Sequence, residues 1–301
     1  MNTLIVITGP TGVGKSEIAL RVAETLHTEI ISADSRQIYA DIPVTTAAPS
    51  DEDMRRAPHH LVRALPLDAY FSASAFEREA LNLLPGIFSR CGGRAIVCGG
   101  SMMYVDALCN GIDEIPTISE AVRRRVADFH RDQGAEALCA WLRNLDPAYC
   151  EQADMRNTKR VMHAVEICLQ AGVPYSSLRK GQKADRDFRI LKFLITAPRE
   201  ILFDRINRRV ERMVEAGMVD EARAVLPMRG LNSLNTVGFK EMFRYLDGEW
   251  DLPTAISRLQ KNTRVYAKKQ LTWYARDPLI IPLDITRCNP AAEILKALGE
   301  L

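Results

Sequence analysis

The feature that most constrains this chain lies near its amino terminus. There the sequence fits the pattern G-x-x-x-x-G-K-[ST], between an apolar run at residues 4–8 and a helically spaced segment at residues 16–26. Glycines allow turns that aim successive backbone N–H groups at phosphate oxygens, and the following helix directs its positive end at the same anion. The pattern predicts a diphosphate-binding loop made of Gly9, Pro10, Thr11, Gly12, Val13, Gly14, Lys15 and Ser16.

Two side chains of this loop have predicted roles. Lys15 is expected to reach the terminal phosphate, and the Ser16 hydroxyl is expected to ligate Mg²⁺. A motor or switch-type hydrolase usually ends another strand with a metal-binding Asp. Here the strand-like run at residues 94–98 ends in Gly99 and Gly100, with no carboxylate. The sequence therefore favours a kinase or another small transferase that handles phosphates.

Further strand-like runs lie at residues 29–33, 94–98 and 190–195, with helical patterns between them. Strands that alternate with helices predict an α/β fold, a P-loop NTPase-like parallel sheet flanked by helices. Residues 114–187 show helical periodicity and no clear strand, which predicts an all-helical insertion domain. The predicted organisation is a core in two parts, 1–113 and 188–301, around that insertion. A plain extension of the α/β core is the alternative.

Composition excludes several classes of protein. Among the 301 residues, 47% are hydrophobic and 26% are charged, with a net charge of +2, as in ordinary globular proteins. No apolar run approaches the roughly 20 residues of a membrane helix, and the first residues lack the charged start of a signal peptide. The cytoplasm is the expected location. Seven cysteines without a Cys-x-x-Cys pair argue against a disulfide framework and a cysteine zinc site.

Asp34 follows the second predicted strand, at the sheet edge where open α/β sheets bind their ligands. A carboxylate at this place can accept a proton from an incoming nucleophile. A turn or helix-capping role is the alternative reading of the same residue.

A long basic segment lies near the carboxyl end. Residues 252–276 contain no Asp or Glu, and their helical wheel separates a cationic arc from a second arc. A cationic stripe of this kind suits a phosphate backbone. The second arc is predicted to pack in the core and holds Ile256, Leu259, Tyr266, Trp273 and Tyr274.

Several blocks together resemble one family, the bacterial tRNA dimethylallyltransferases. They are the phosphate loop, residues 31–39 (Ile-Ser-Ala-Asp-Ser-Arg-Gln-Ile-Tyr), 57–61, 70–76, 99–104, 198–200, 237–241 and 268–273 (Lys-Lys-Gln-Leu-Thr-Trp). The resemblance implies transfer of a dimethylallyl group from dimethylallyl diphosphate to the N6 amine of the adenosine that follows the anticodon. The implied acceptors are tRNAs that read codons beginning with U. A monomer is expected.

The resemblance also implies roles for individual residues. Asp34 is the implied general base, and Arg205 and Arg209 face the diphosphate, whereas Arg208 and Arg212 of the same helical face are expected to be solvated. The adenine must leave the stack of the anticodon loop to reach the base. The tRNA contacts that the resemblance implies are Ser101, Arg123, Lys159, Arg160, Val161, Met162, His163, Asn235, Thr236, Val237, Gly238, Phe239 and Lys240. Ser35, Arg36 and Gln37, beside Asp34, are expected to hold the adenosine, and Arg264 and Lys268 of the cationic arc are expected to contact RNA.

The chain departs from the family pattern at three places. Ser101 and His163 stand where the family usually has Thr and Arg, and residues 44–49 read Val-Thr-Thr-Ala-Ala-Pro where Ile-Gly-Thr-Ala-Lys-Pro is usual. Three other functions compete with the tRNA enzyme. They are a nucleoside or nucleotide kinase, a prenyltransferase acting on free adenine nucleotides, and a non-enzymatic RNA-binding protein.

Overall fold

A computed structural model describes residues 1–181 and 184–300. Its centre is a six-stranded parallel sheet. The strands are β1 (Thr3–Thr8), β2 (Ile30–Ser32), β3 (His59–His60), β4 (Arg94–Gly99), β5 (Arg189–Thr196) and β6 (Ile280–Asp284). They lie in the order β3-β2-β4-β1-β5-β6.

The other long regular elements of the described residues are helices. They are α1 (Lys15–Leu26), α2 (Pro43–Thr46), α3 (Asp51–Arg56), α4 (Ala73–Arg90), α5 (Met102–Asn110), α6 (Glu120–Leu145), α7 (Pro147–Gln152), α8 (Thr158–Ala171), α9 (Tyr175–Leu178), α10 (Arg199–Glu215), α11 (Met218–Val225), α12 (Phe239–Leu246), α13 (Leu252–Tyr274) and α14 (Pro290–Ala297). Two short 3-10 turns lie at Leu226–Met228 and Asn232–Leu234.

The central strand β1 is buried on both faces. Ile5 and Ile7 join the apolar cluster on the side of α1 and α14, whereas Leu4 and Val6 join the cluster on the side of α4 and α5. Because alternate side chains of a strand point to opposite faces, a continuous apolar run is what a strand covered by helices on both sides requires. The predicted parallel α/β fold with a P-loop NTPase-like sheet is confirmed.

The sequence patterns missed the two edge strands. β3 has only two residues, His59 and His60, and pairs with the start of β2. The last strand, β6, contains Pro282, which weakens a strand pattern but is tolerated at a sheet edge because one side needs no hydrogen bond. Both omissions therefore lie where strand signals are weakest.

The chain divides into two compact units, Met1–Asn110 with Asp185–Leu301, and Gly111–Ala184. The first holds the sheet. The second corresponds in position to the predicted insertion at 114–187, of which residues 182 and 183 lie outside the described residues. In the described part of this second unit there are helices and no strand; α6 and α8 pack together around Val126, Leu142 and Val165.

A buried carboxylate organises the second unit. Asp146 is 1% exposed and accepts hydrogen bonds from the N–H of Tyr149 at 3.0 Å and from the N–H of Ser176 at 2.6 Å. The Ser176 hydroxyl adds a third bond at 2.7 Å. These bonds supply the partners that a buried carboxylate needs and tie α7 to α9.

None of the helices in residues 1–181 and 184–300 combines the length and the apolar character needed to cross a membrane. All seven cysteines are free thiols, of which Cys98, Cys109 and Cys168 are buried.

Candidate active site at the carboxyl edge of the sheet

The phosphate loop leaves β1 and enters α1. Gly12 and Gly14 have φ angles of 83° and 101°, in the left-handed region that glycine adopts without strain. Gly14 caps α1 without a side-chain hydrogen bond, so the first amides of the helix remain available to an anion. At Gly12 an added Cβ would approach the Ile206 side chain of α10 to 2.8 Å. The loop is thus shaped for an anion and packed against α10.

Lys15 is half-buried, and its ammonium donates to the carbonyl oxygen of Pro10 at 2.9 Å. Burial lowers its pKa to about 8; the positive charge of Arg209 acts in the same direction, and the negative charge of Asp34 opposes it. Two guanidinium groups from α10 approach the same region. Arg205 donates to the Val13 carbonyl oxygen at 2.9 Å, and Arg209 donates to the Thr46 carbonyl oxygen at 3.4 Å. Burial lowers the pKa of Arg209, and Asp34 counters that effect.

Asp34 lies just after β2, and its carboxylate serves a turn. Its Oδ1 accepts the backbone N–H groups of Arg36 at 2.9 Å and Gln37 at 3.3 Å. Among the described residues, no hydrogen bond is found at Oδ2. The turn role and an available carboxylate oxygen therefore coexist in one residue.

Asp34 and the phosphate loop open on one cavity of about 370 Å³, which Thr11 reaches from the loop side. Its mixed lining combines hydroxyl, cationic and apolar groups. The predicted site residues that line it are Thr11, Asp34, Ser35, Arg36, Ser101, Arg209, Asn235, Thr236, Val237 and Lys240. The lining residues that the sequence did not single out as site residues are Thr45, Thr46, Val210, Met213, Leu259, Thr263 and Tyr266.

The prediction for α13 was wrong at one residue. Tyr266 was assigned to the core, but it is 37% exposed and lines the cavity with Asp34. The buried face of α13 is instead formed by Ala255, Leu259, Ala267, Gln270 and Tyr274. A helical wheel gives the relative directions of side chains around a helix. It does not show how far the elements packed against that helix extend, so a residue at the edge of the buried arc can face a cavity.

Other predicted residues have different surroundings. The Gln37 amide donates to the carbonyl oxygens of Thr46 and Ala47, which fixes the chain after α2. Arg264 is half-buried and donates to Asn207 at 2.6 Å, whereas Lys268 is exposed on the same helix. Ser16 is exposed at the start of α1. The predicted residues Gln37, Arg264, Lys268 and Ser16 are not among those lining the cavity.

Two carboxylates hold the loops that line the cavity. Glu221 accepts the N–H groups of Val44 and Thr45, both at 2.7 Å, and so fixes the segment that departs from the family pattern. Glu241, 3% exposed, accepts the Gly238 N–H at 2.8 Å and the Asn262 amide at 2.6 Å. The loop at 235–238 is thereby bonded to α13.

Burial separates the predicted RNA contacts into two kinds. Lys159, Arg160 and His163 of α8 are exposed, as is Arg123 of α6. Val161 is only 1% exposed and packs in the core of the second unit. In the first unit Phe239 is fully buried. The side chains of these two residues are not on the surface, which argues against direct contact with RNA.

Arg208 of α10 was predicted to be solvated, and the structure agrees. It is exposed and pairs with Asp204, four residues earlier on the helix, at 3.1 Å. Arg212 is exposed as well. Only Arg205 and Arg209 of this helical face bond to chain segments around the phosphate loop and the cavity.

The parallel sheet and the glycine-rich loop between β1 and α1 define an α/β protein of the P-loop fold class. A family model described as IPP transferase matches residues 37–277. The chain belongs to the IPP transferase family.

Relatives agree with this assignment over almost the whole chain. The tRNA dimethylallyltransferase 1 of Bacteroides thetaiotaomicron is 53% identical over 92% of this chain and 90% of the relative, and that of Phocaeicola vulgatus is 50% identical over 93% of both. The crystal structure of the tRNA isopentenylpyrophosphate transferase of Bacillus halodurans has a TM-score of 0.71 at 32% identity and covers 99% of this chain and 95% of that one. A eukaryotic dimethylallyltransferase, solved in snapshots of its action on tRNA, has a TM-score of 0.84 at 26% identity, covering 100% of this chain and 79% of its own.

Proposed function

We propose that this protein transfers a dimethylallyl group from dimethylallyl diphosphate to N6 of the adenosine that follows the anticodon in tRNA. The observation that carries the proposal is that Thr11 of the phosphate loop and Asp34 line one cavity. The names of the relatives, tRNA dimethylallyltransferases at about half identity, support the same reaction.

The leaving group would occupy the phosphate loop. Backbone N–H groups at the start of α1, the Lys15 ammonium and the guanidinium groups of Arg205 and Arg209 are positive groups around one place. As the allylic carbon–oxygen bond breaks, negative charge grows on the diphosphate, and groups fixed in advance stabilise that charge. This arrangement favours departure of diphosphate as a whole.

The adenine would occupy the cavity. A base in the stacked anticodon loop has to rotate out of the stack to enter it. Ser35, Arg36 and Ser101 are polar groups that can hydrogen-bond the base or its sugar, and Tyr266 offers an aromatic face. The apolar side chains of Val210 and Met213 line the same cavity and suit the dimethylallyl chain.

The bond changes balance within this arrangement. The N6 nitrogen forms a bond to the first carbon of the dimethylallyl group, and the bond between that carbon and the diphosphate oxygen breaks. Its electron pair leaves on the diphosphate. Asp34, through the carboxylate oxygen that is not used in the turn, accepts the proton released from N6.

Mg²⁺ is proposed as the metal, with the Ser16 hydroxyl as a protein ligand. The described residues hold no group of three or more His, Cys, Asp or Glu that could bind a metal alone. Mg²⁺ is often held by one or two protein groups together with phosphate oxygens and water, and the exposed Ser16 at the start of α1 can supply one such group. When bound, the ion would neutralise charge on the diphosphate.

The exposed cations of α8 and α13 are proposed to bind the anticodon stem-loop. Lys159, Arg160 and Lys268 are exposed, and the described length of α13 carries no carboxylate to compete with RNA phosphates. The enzyme is proposed to act as a monomer in the cytoplasm.

The test is a transfer assay with purified protein, dimethylallyl diphosphate, Mg²⁺ and an unmodified tRNA transcript. We expect prenylated adenosine in the nuclease digest by mass spectrometry, and none with a transcript that lacks adenosine after the anticodon. The same protein is incubated with ATP and nucleosides. Phosphate transfer in that sample, without prenylation of tRNA, would refute the proposal in favour of a kinase.

A further inference from the structure

Gln270 is a buried polar residue on α13 with a bond to each of two distant chain segments. Its side chain is 2% exposed. The Oε1 atom accepts the backbone N–H of Thr11 at 2.9 Å, and Nε2 donates to the carbonyl oxygen of Gly100 at 2.8 Å. The orientation of the amide follows from its partners, because a backbone N–H can only donate and a carbonyl can only accept.

The two partners follow two neighbouring strands of the sheet, β1 and β4. Thr11 is part of the phosphate loop after β1. Gly100 follows β4 and precedes Ser101, whose N–H donates to the carbonyl oxygen of Ala33 at 3.0 Å, one residue before Asp34. A chain of bonds thus runs from the phosphate loop through Gln270 to the segment that carries Asp34.

The segments joined by these hydrogen bonds approach each other closely. A Cβ added to Gly100 would overlap Nε2 of Gln270, and one added to Gly99 would overlap the backbone of Ala33. Glycines at both positions let the β4 end approach the Gln270 amide on one side and the β2 end on the other. The spacing between the phosphate loop and the segment that carries Asp34 is therefore set by direct contact.

We propose that Gln270 is a positioning residue that fixes the distance between the phosphate loop and the carboxylate of Asp34. The inference rests on the proposed function, in which the donor lies on the loop and the acceptor amine lies at Asp34. The transfer reaction requires the attacking nitrogen and the allylic carbon to be aligned. A shift of about 1 Å in their relative position can slow such a step about 100-fold. Gln270 touches neither reactant in this arrangement and acts through the two backbone segments.

The first test replaces the amide with a group of similar length that forms neither bond. In Gln270→Met we expect kcat to fall about 10–100-fold, because the phosphate loop and the segment that carries Asp34 lose their fixed spacing. The dissociation constant for unmodified tRNA should change by no more than about twofold, since the exposed cations proposed to bind tRNA are unaltered. Gln260→Met is the matched control, since Gln260 lies on the same helix and its side-chain amide donates to the exposed Glu211 at 3.4 Å.

A second variant keeps the proposal testable if Gln270→Met does not fold. In Gln270→Glu, a protonated carboxyl can still donate to the Gly100 carbonyl and accept from the Thr11 N–H. The ionised carboxylate has no donor for Gly100. Because burial raises a carboxyl pKa, the ratio of variant to wild-type kcat should be highest at acidic pH and fall as pH rises.

Wild-type kcat in Gln270→Met, or a Gln270→Glu to wild-type ratio that is constant from acidic to alkaline pH, would overturn the positioning role. Both outcomes leave the proposed function intact. Failure of the wild-type protein to prenylate tRNA would refute the proposed function, and the inference with it.

Discussion

Arg205 of α10 donates from Nη1 to the carbonyl oxygen of Val13 at 2.9 Å, so a guanidinium from the second half of the chain is bonded to the phosphate loop. A Cβ added to the neighbouring Gly14 would lie 3.4 Å from the same nitrogen. The bond supports the loop and leaves the other guanidinium N–H groups for an anion.

Substitution of Arg205 tests this arrangement. Arg205→Met should weaken inorganic pyrophosphate binding about tenfold or more, since a hydrogen bond to a charged group is lost. Titration calorimetry measures the change. Arg208→Met is the control, because Arg208 is exposed and pairs with Asp204 on the same helix. Equal losses in both variants would show a general charge effect of α10 and contradict a specific role for Arg205.

Asp34→Asn separates the base from the turn. Asn can still accept the N–H groups of Arg36 and Gln37, so the turn is kept, but its amide does not accept a proton at neutral pH. Turnover should fall about 10²–10⁴-fold, with tRNA affinity unchanged in a filter-binding assay. Normal turnover in Asp34→Asn would remove Asp34 from catalysis.

The pKa of Lys15 predicts how diphosphate binding depends on pH. Burial lowers this pKa to about 8 in the free protein, so the ammonium loses its proton as pH rises through that value. Pyrophosphate affinity should therefore decline above pH about 8, and binding at that pH should draw a proton onto Lys15. Calorimetry in buffers of different ionisation enthalpy measures the uptake.

Comparison with Lys15→Met cancels the titration of pyrophosphate itself. Equal proton uptake by the wild type and this variant would show that Lys15 does not change its protonation state on binding, against the prediction.

Tyr266 should act through its ring. Its pKa is raised to about 12, first by burial and then by the nearby charge of Asp34, so the phenol stays neutral at physiological pH. Tyr266→Leu should cost about 1–3 kcal/mol in kcat/KM for tRNA, the size of a base–aromatic stack. Tyr266→Phe retains the ring and should retain most activity. A similar loss in both variants would assign the effect to the hydroxyl.

Lys268 tests the RNA surface of α13. In Lys268→Ala the slope of the logarithm of tRNA affinity against the logarithm of salt concentration should become less steep, by the amount that about one phosphate contact contributes. Affinities measured at several salt concentrations give this slope. Lys296→Ala, which removes an exposed cation from α14, is the comparison. An unaltered slope would place Lys268 outside the interface.

The sequence predicted the parts of the site that depend on local order along the chain. The phosphate loop is a contiguous pattern between a strand and a helix, and Asp34 follows directly on a strand. In a parallel sheet these strand ends meet at one edge, so their proximity follows from the fold class alone.

Contacts between distant segments were decided only by the tertiary structure. Tyr266 lines the cavity and Gln270 is buried between Thr11 and Gly100, although both belong to one helix whose wheel pattern did not distinguish them as site residues. Periodicity determines which side chains share a helical face. The packing of α13 against the strand ends determines which of them reaches solvent, a cavity or a backbone partner, because that depends on groups far away in the sequence.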